Sequence, residues 1–220
     1  KRVAIVGFGS LGAMYAGCFG RAMGADGVFV VADEARTERY RAEPTVFNGE
    51  VIQATYLTYA EAAARAAETP FDVVLYAVKY GALAEAMEQS APLVGADTAI
   101  ISVLNGVTSE EVLAERFGWD RVLLCVAQQM DSRKVGPVVT AGCVGVLALG
   151  VRDGESPVQQ ANLSRVTAWL SAIDQPFICP KDIRHQLWGK LICNVGVNQA
   201  CAVYDCCFDG IHAPGEAREA

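Results

Sequence analysis

Lys1-Arg2-Val3-Ala4-Ile5-Val6-Gly7-Phe8-Gly9-Ser10-Leu11-Gly12 opens the chain, and its reading decides the fold. Lys1 to Val6 is a strand with an apolar run, and Ser10 to Met23 follows as a helix with Gly24 just past its end, where glycine adopts a left-handed backbone cheaply. Between strand and helix stands a GxGxxG. The first glycine allows the tight turn, the second lets the backbone approach a pyrophosphate and the third lets the helix pack on the strand, while the helix N-terminus attracts the anion. A bare glycine loop is weak evidence. Here the flanking elements are right, and Asp33 falls 21 residues beyond Gly12, at the end of the second strand Val28 to Ala32. In that context Gly7, Phe8, Gly9, Ser10, Leu11 and Gly12 form a dinucleotide-binding loop.

Which dinucleotide is a separate question. An acidic residue in the position of Asp33 binds the ribose hydroxyls of NAD and repels the 2′-phosphate of NADP. Just downstream, Arg36, Arg39 and Arg41 each have the chemistry to clamp a phosphate, or else they form a solvated helix face. Both cofactors stay open on these residues alone.

Working outward, the alternation continues. After a polar connection rich in Arg, with Asn48-Gly49 as a turn between short strands, come helix Tyr59 to Glu68, strand Phe71 to Val78, helix Ala82 to Ala91, strand Thr98 to Val103, helix Ser109 to Phe117 and strand Arg121 to Val126. Thr108 and Glu111 have the spacing of a capping box. This rhythm predicts right-handed crossovers and a doubly wound parallel sheet covered on both faces, a Rossmann-type α/β fold. After Met130 the tempo changes: Pro137 to Ala141 and Val144 to Leu149 are expected as a strand pair appended to the sheet, then helix Pro157 to Ile173 and a short strand around Phe177. From Asp182 the chain reads as helical, with Trp188, Leu191, Ile192 and Val195 as its apolar positions. A boundary near Pro180 divides a dinucleotide-binding domain, 1–180, from the start of an all-helical second domain, 181–220.

The composition agrees: 220 residues, 52% hydrophobic and 20% charged, suit a packed α/β domain. A net charge of −7 offers no broad positive field for nucleic acid. No apolar run approaches the roughly 20 residues that span a bilayer, and no signal peptide is evident, so a cytoplasmic protein without a membrane partner is expected. The 8 cysteines lie mostly in apolar segments without CxxC spacing, and with 2 histidines, His185 and His212, they are expected to be buried reduced thiols and not zinc ligands. The adjacent Cys206 and Cys207 are the exception to that scatter. Lys1 enters a strand with no initiator Met, which points to trimming or processing.

In open parallel sheets ligands sit beyond the carboxyl ends of the strands. Lys79 ends one apolar strand and Asn105-Gly106 follows another, placing both on the rim of the glycine loop. Lys190, Asn194 and Asn198 are spaced i, i+4, i+8, a polar stripe drifting by about 40° per step on one helix. Asn is a poor helix former, so the stripe faces either solvent or a cleft.

Four segments then resemble, in order and spacing, the motifs of the ketopantoate reductase family: IVGFGSLGAMYA at the start, YAVK ending at Lys79, LNG at Asn105-Gly106, and DIRHQLWGKLICNVGVN from Asp182 to Asn198. The last is far more specific than the glycine loop. The resemblance implies an oxidoreductase that reduces a 2-oxo acid, 2-dehydropantoate to pantoate above all, by hydride transfer from NADPH, with NADH as the alternative donor. It implies that Lys190 is the catalytic lysine and general acid, that Asn194 and Asn198 bind substrate, and that Lys79 and Asn105 serve cofactor and substrate at the rim. It implies a homodimer, and family members continue into further helices that complete the pocket. Where the family commonly carries Arg at the end of the second strand, this chain has Asp33. Two other readings remain: a reductase of a different 2-oxo acid, and a non-catalytic dinucleotide-binding redox sensor using a thiol such as Cys206.

Overall fold

The computed structural model describes residues 1–152, 154, 156–206 and 210. The chain runs β1 (Val3–Val6), α1 (Ser10–Met23), β2 (Val28–Ala32), α2 (Glu34–Ala42), β3 (Val46–Phe47), β4 (Glu50–Val51), β5 (Thr55–Thr58), α3 (Tyr59–Glu68), β6 (Val73–Tyr76), α4 (Leu83–Ser90), β7 (Ala99–Ser102) and α5 (Ser109–Phe117). It continues with β8 (Val122–Met130), β9 (Arg133–Val135), β10 (Val138–Thr140), β11 (Val144–Gly150), α6 (Pro157–Ala172), β12 (Phe177–Ile178), α7 (Ile183–Cys193), a π-helical stretch Asn194–Asn198 and α8 (Gln199–Val203). Eight strands form the central sheet in the order β12-β11-β8-β7-β6-β1-β2-β5. It is parallel from β8 through β5, and β11 joins β8 antiparallel.

β1 shows why the sheet needs helices on both sides. Val3 and Ile5 pack into one core with α1 and α6, while Ala4 and Val6 pack into a second with α3, α4 and α5. Both sets are fully buried, so the continuous apolar strand seen in the sequence is the signature of a two-faced core. On β8, Leu124 and Val126 pack with Ile183 and Leu187 of α7, so α7 extends the layer of helices begun by α3, α4 and α5.

Several local expectations are corrected. The strand pair after Met130 does not enter the central sheet as a unit: β11 does, whereas β10 joins a separate four-stranded sheet in the order β4-β3-β10-β9. Asn48-Gly49 does make the turn between β3 and β4, with φ of 48° and 87°, and the Asn48 amide also ties that turn to both the N–H and the C=O of Ala141. The capping box is not at Thr108, whose side chain caps nothing, but at Thr58 and Glu61 at the start of α3. The Arg-rich connection after β2 is the helix α2, and Thr55–Thr58 is an additional parallel strand. On α7 and beyond it Trp188, Ile192 and Val195 are more than half exposed, leaving Ile183 and Leu187 to bury the helix.

The thiols also depart from expectation. Cys125 is buried, but Cys143, Cys179 and Cys193 are exposed, Cys18, Cys201 and Cys206 are intermediate, and Cys207 and His212 lie outside the described residues. Among the described residues no helix is long and apolar enough to cross a membrane, and no cluster of three or more His, Cys, Asp or Glu is arranged to hold a metal ion.

Candidate functional site

The glycine loop is built as its spacing requires. Gly7 has φ of 99°, and a Cβ there would lie 2.7 Å from the Ala77 carbonyl oxygen; a Cβ on Gly12 would lie 2.0 Å from the Gly7 carbonyl oxygen. Those two glycines allow close packing. Gly9 differs, because a Cβ on it would meet nothing within 4 Å. Gly9, itself exposed, is also the N-cap of α1 and supplies no side-chain cap, so no capping side chain occupies the first amides of the helix. A loop open at its second glycine, with uncapped amides and a helix dipole behind them, fits a pyrophosphate.

The register places more chemistry beside it. Val6, Tyr76 and Ser102 align across the neighbouring strands β1, β6 and β7. Gly9, Lys79 and Asn105 each lie three residues beyond those strand ends, and neighbouring strands are about 4.8 Å apart. Lys79 and Asn105 are both exposed on this rim. Gly7, Phe8, Gly9, Ala32, Arg36 and Lys79 are among the residues that line one cleft of about 340 Å³. Phe8, Tyr40 and Tyr59 also line it, and Phe8 meets Tyr40 edge-on with ring centroids 5.0 Å apart.

Asp33 is the N-cap of α2: its carboxylate accepts the Arg36 backbone N–H at 2.8 Å and pairs with the Arg36 guanidinium at 3.2 Å. Arg36 faces the glycine cleft, Arg39 lines the neighbouring one, and Arg41 is engaged with the Tyr56 carbonyl and Glu61. Of the three arginines only Arg36 lines the glycine cleft, and its guanidinium is paired with Asp33.

Lys190 sits on α7, half-buried, and its Nζ donates to the Ala127 carbonyl on β8. Burial pulls its pKa below the ordinary lysine range, with Cys125 opposing. β7 pairs β8 no further than Leu123, so Ala127 lies past the end of β7, on the carboxyl rim. Five residues on, Ser132 touches Ser10 of the glycine loop at 2.7 Å, at most about 17 Å along an extended chain. Asn194 and Asn198 continue from Lys190 in the π-helical stretch, and the Asn198 side-chain amide donates to the Asn194 side-chain Oδ1 at 3.2 Å. The helical stripe therefore exists, but with an extra residue in its turn, a distortion common at functional positions.

Three groups here were not singled out in the sequence. Ser132 and Lys134 reach the glycine loop from 122 and 126 residues away, a contact no local pattern reveals. Glu110 is the third: it is 2% exposed, accepts from the Ser109 hydroxyl at 2.8 Å and from the Cys125 N–H at 3.3 Å, and Ser109 in turn meets Ser102 at the end of β7. Burial pushes its carboxyl above the ordinary carboxylate range, and the Ser109 bond opposes that. A raised carboxyl pKa means the folded state holds its proton longer than the unfolded state does. Stability from this group therefore falls as pH rises from about 4.3 through the raised value. Glu110→Gln is expected to remove that slope and give a Tm at neutral pH equal to or above that of the parent, read from thermal unfolding across pH; a steeper loss at high pH in the variant would contradict it.

The model of the family described as ketopantoate reductase PanE/ApbA matches residues 3–153. No curated protein sequence matches the chain. Among solved structures, 2-dehydropantoate 2-reductase from Geobacter metallireducens GS-15 superposes with a TM-score of 0.80 at 24% identity, over 100% of this chain and 71% of that one. D-mandelate dehydrogenase, in a ternary structure with NADH and anilino(oxo)acetate, gives a TM-score of 0.81 at 18% identity, over 100% and 69%. The dimeric ketopantoate reductase from Staphylococcus aureus gives 0.67 at 21%, over 92% and 63%.

Proposed function

The chain belongs to the ketopantoate reductase family, and on that premise we propose that it is an NADPH-dependent reductase of a small 2-oxo acid, 2-dehydropantoate first among the candidates. The observation that carries this reading is the pairing on one rim of an open glycine loop with the half-buried ammonium of Lys190. The chemistry a bound reduced nicotinamide dinucleotide supplies is hydride donation. Residues Gly7 to Gly12 hold its pyrophosphate, Arg36 its 2′-phosphate, and Lys79 and Asn105 the neighbouring rim.

Lys190 holds a proton at the keto oxygen of the substrate, where it stabilises the negative charge that builds there and then delivers the proton. The pull of burial on its pKa eases that delivery. Asn194 and Asn198 present amides to the substrate carboxylate, exchanging their mutual bond for one to the ligand. Redox sensing through Cys18, Cys125 or Cys179 is not favoured: burial pushes Cys18 up to about 11 and raises Cys125 and Cys179, opposite to the depressed pKa of a reactive thiol. A homodimer is the proposed assembly, by likeness to the Staphylococcus aureus structure.

The likeness to D-mandelate dehydrogenase, as close in fold as the reductases, favours a second reading: the same chemistry on a bulkier 2-oxo acid with NADH. Fluorescence titration with NADPH and NADH, followed by kinetics on a panel of 2-oxo acids, separates the two. NADPH is expected to bind tighter, and Asp33→Ala to widen the gap several-fold while costing about 1 kcal/mol for the lost cap. Tighter binding of NADH by the parent would give Asp33 the deciding role, and a preferred substrate other than 2-dehydropantoate would remove that name.

A further inference from the structure

We infer that Ser132 and Lys134 are positioning residues for the dinucleotide loop: they hold its carbonyls from behind, so that its amides point to the pyrophosphate. This inference rests on the dinucleotide-binding reading above. The Lys134 Nζ donates to the Phe8 carbonyl at 2.7 Å and stands 4.4 Å over the centre of the Phe8 ring. The Ser132 Oγ donates to the Ser10 carbonyl at 3.2 Å and meets the Ser10 hydroxyl at 2.7 Å. Each bonded carbonyl belongs to a peptide unit whose other end is an amide of the loop: Phe8 with Gly9, Ser10 with Leu11. A donor on the oxygen polarises the unit and strengthens its N–H as a donor on the far side. With a cation as the donor the effect is larger.

The charge balance at Lys134 supports the same role. It is half-buried, it has no carboxylate partner among the ion pairs of the described residues, and its cleft holds Arg39 together with Glu43. A cation placed this way adds positive potential under the loop that receives a polyanion. The small sheet supplies the grip, since β9 carries Lys134 and pairs with β10, and β3 of the same sheet packs its Phe47 against Gly17 of α1. Glycine loop, α1 and small sheet are thereby locked together.

The test titrates NADPH and NADH into the parent, Lys134→Met, Lys134→Arg and Ser132→Ala, and measures amide hydrogen exchange over residues 8–12 without nucleotide. Lys134→Met is expected to weaken the preferred dinucleotide about tenfold and to speed exchange in the loop. Lys134→Arg keeps a cationic donor and is expected to recover most of that loss, and Ser132→Ala to cost about threefold. If Lys134→Met does not fold, Ser132→Ala with its loop exchange decides. Parent-like affinity and exchange in Lys134→Met, or in Ser132→Ala where it stands alone, overturn the positioning role, as does an equal loss in Lys134→Arg. A parent that binds neither nucleotide overturns this inference and the dinucleotide reading together, whereas the other outcomes leave that reading intact.

Discussion

Lys190→Ala is expected to lower turnover of the best 2-oxo acid by about two to four orders of magnitude, the usual worth of a positioned general acid, with dinucleotide affinity kept within about threefold. The separation follows from position: Lys190 is held by the Ala127 carbonyl on β8, while the glycine loop lies across the rim on β1 and α1. Steady-state kinetics with a parallel fluorescence titration reads both quantities, and unchanged turnover would remove the lysine from the chemistry. The pH profile carries a second check. A general acid must be protonated, so reduction is expected to decline as pH rises through the Lys190 pKa, below the ordinary lysine value because burial disfavours its charge. Stability moves the other way: between the lowered folded pKa and about 10.4 the unfolded chain binds more protons, so the parent gains stability as pH climbs through that window. Lys190→Ala is expected to lose both features.

The second large effect separates two glycines of one motif. Gly12→Ala places a methyl 2.0 Å from the Gly7 carbonyl oxygen and 3.2 Å from the Ala77 Cβ, and backbone yields little. Overpacking of that kind costs about 1–3 kcal/mol, and each kcal/mol shifts Tm by about 2–4 °C in a chain of this size. Gly9→Ala adds the same methyl to open space, at φ of −73° where any residue is comfortable. Its Tm is expected to match the parent while dinucleotide affinity falls by more than tenfold, because the methyl occupies the approach of the pyrophosphate. Calorimetry and nucleotide titration on both variants decide the matter. A Gly9→Ala protein that binds like the parent would show that the open side of the loop is not where the anion sits.

The contrast shows how much of the site was legible beforehand. The motif marks both glycines as necessary and assigns them different duties, and the structure supplies what each meets: backbone at Gly12, space at Gly9. Asp33 was legible as an acid at the end of the second strand, but its second duty, capping α2 and holding Arg36, depends on a helix that polar composition hid. Only Thr37 of α2 is buried, so the helix carries almost no apolar stripe to betray it. Thr108 has the spacing of a capping box, but Thr58 makes the real one, because the capping residue also needs extended backbone, with φ of −69° and ψ of 162° at Thr58.

What the sequence determined by itself is everything carried by local order: the alternation of two-faced strands with helices, the glycine loop, and the succession of Lys79, Asn105 and the Lys190 stripe. These are short-range patterns, and hydrophobic burial on both faces leaves one economical way to stack them. Only the tertiary structure decided which strand leaves the central sheet, which face of α7 is buried, and that Ser132 and Lys134 close on Ser10 and Phe8 across more than 120 residues. Those outcomes depend on partners distant in the chain, and a hydrogen bond or a packed face has no periodicity until its partner arrives.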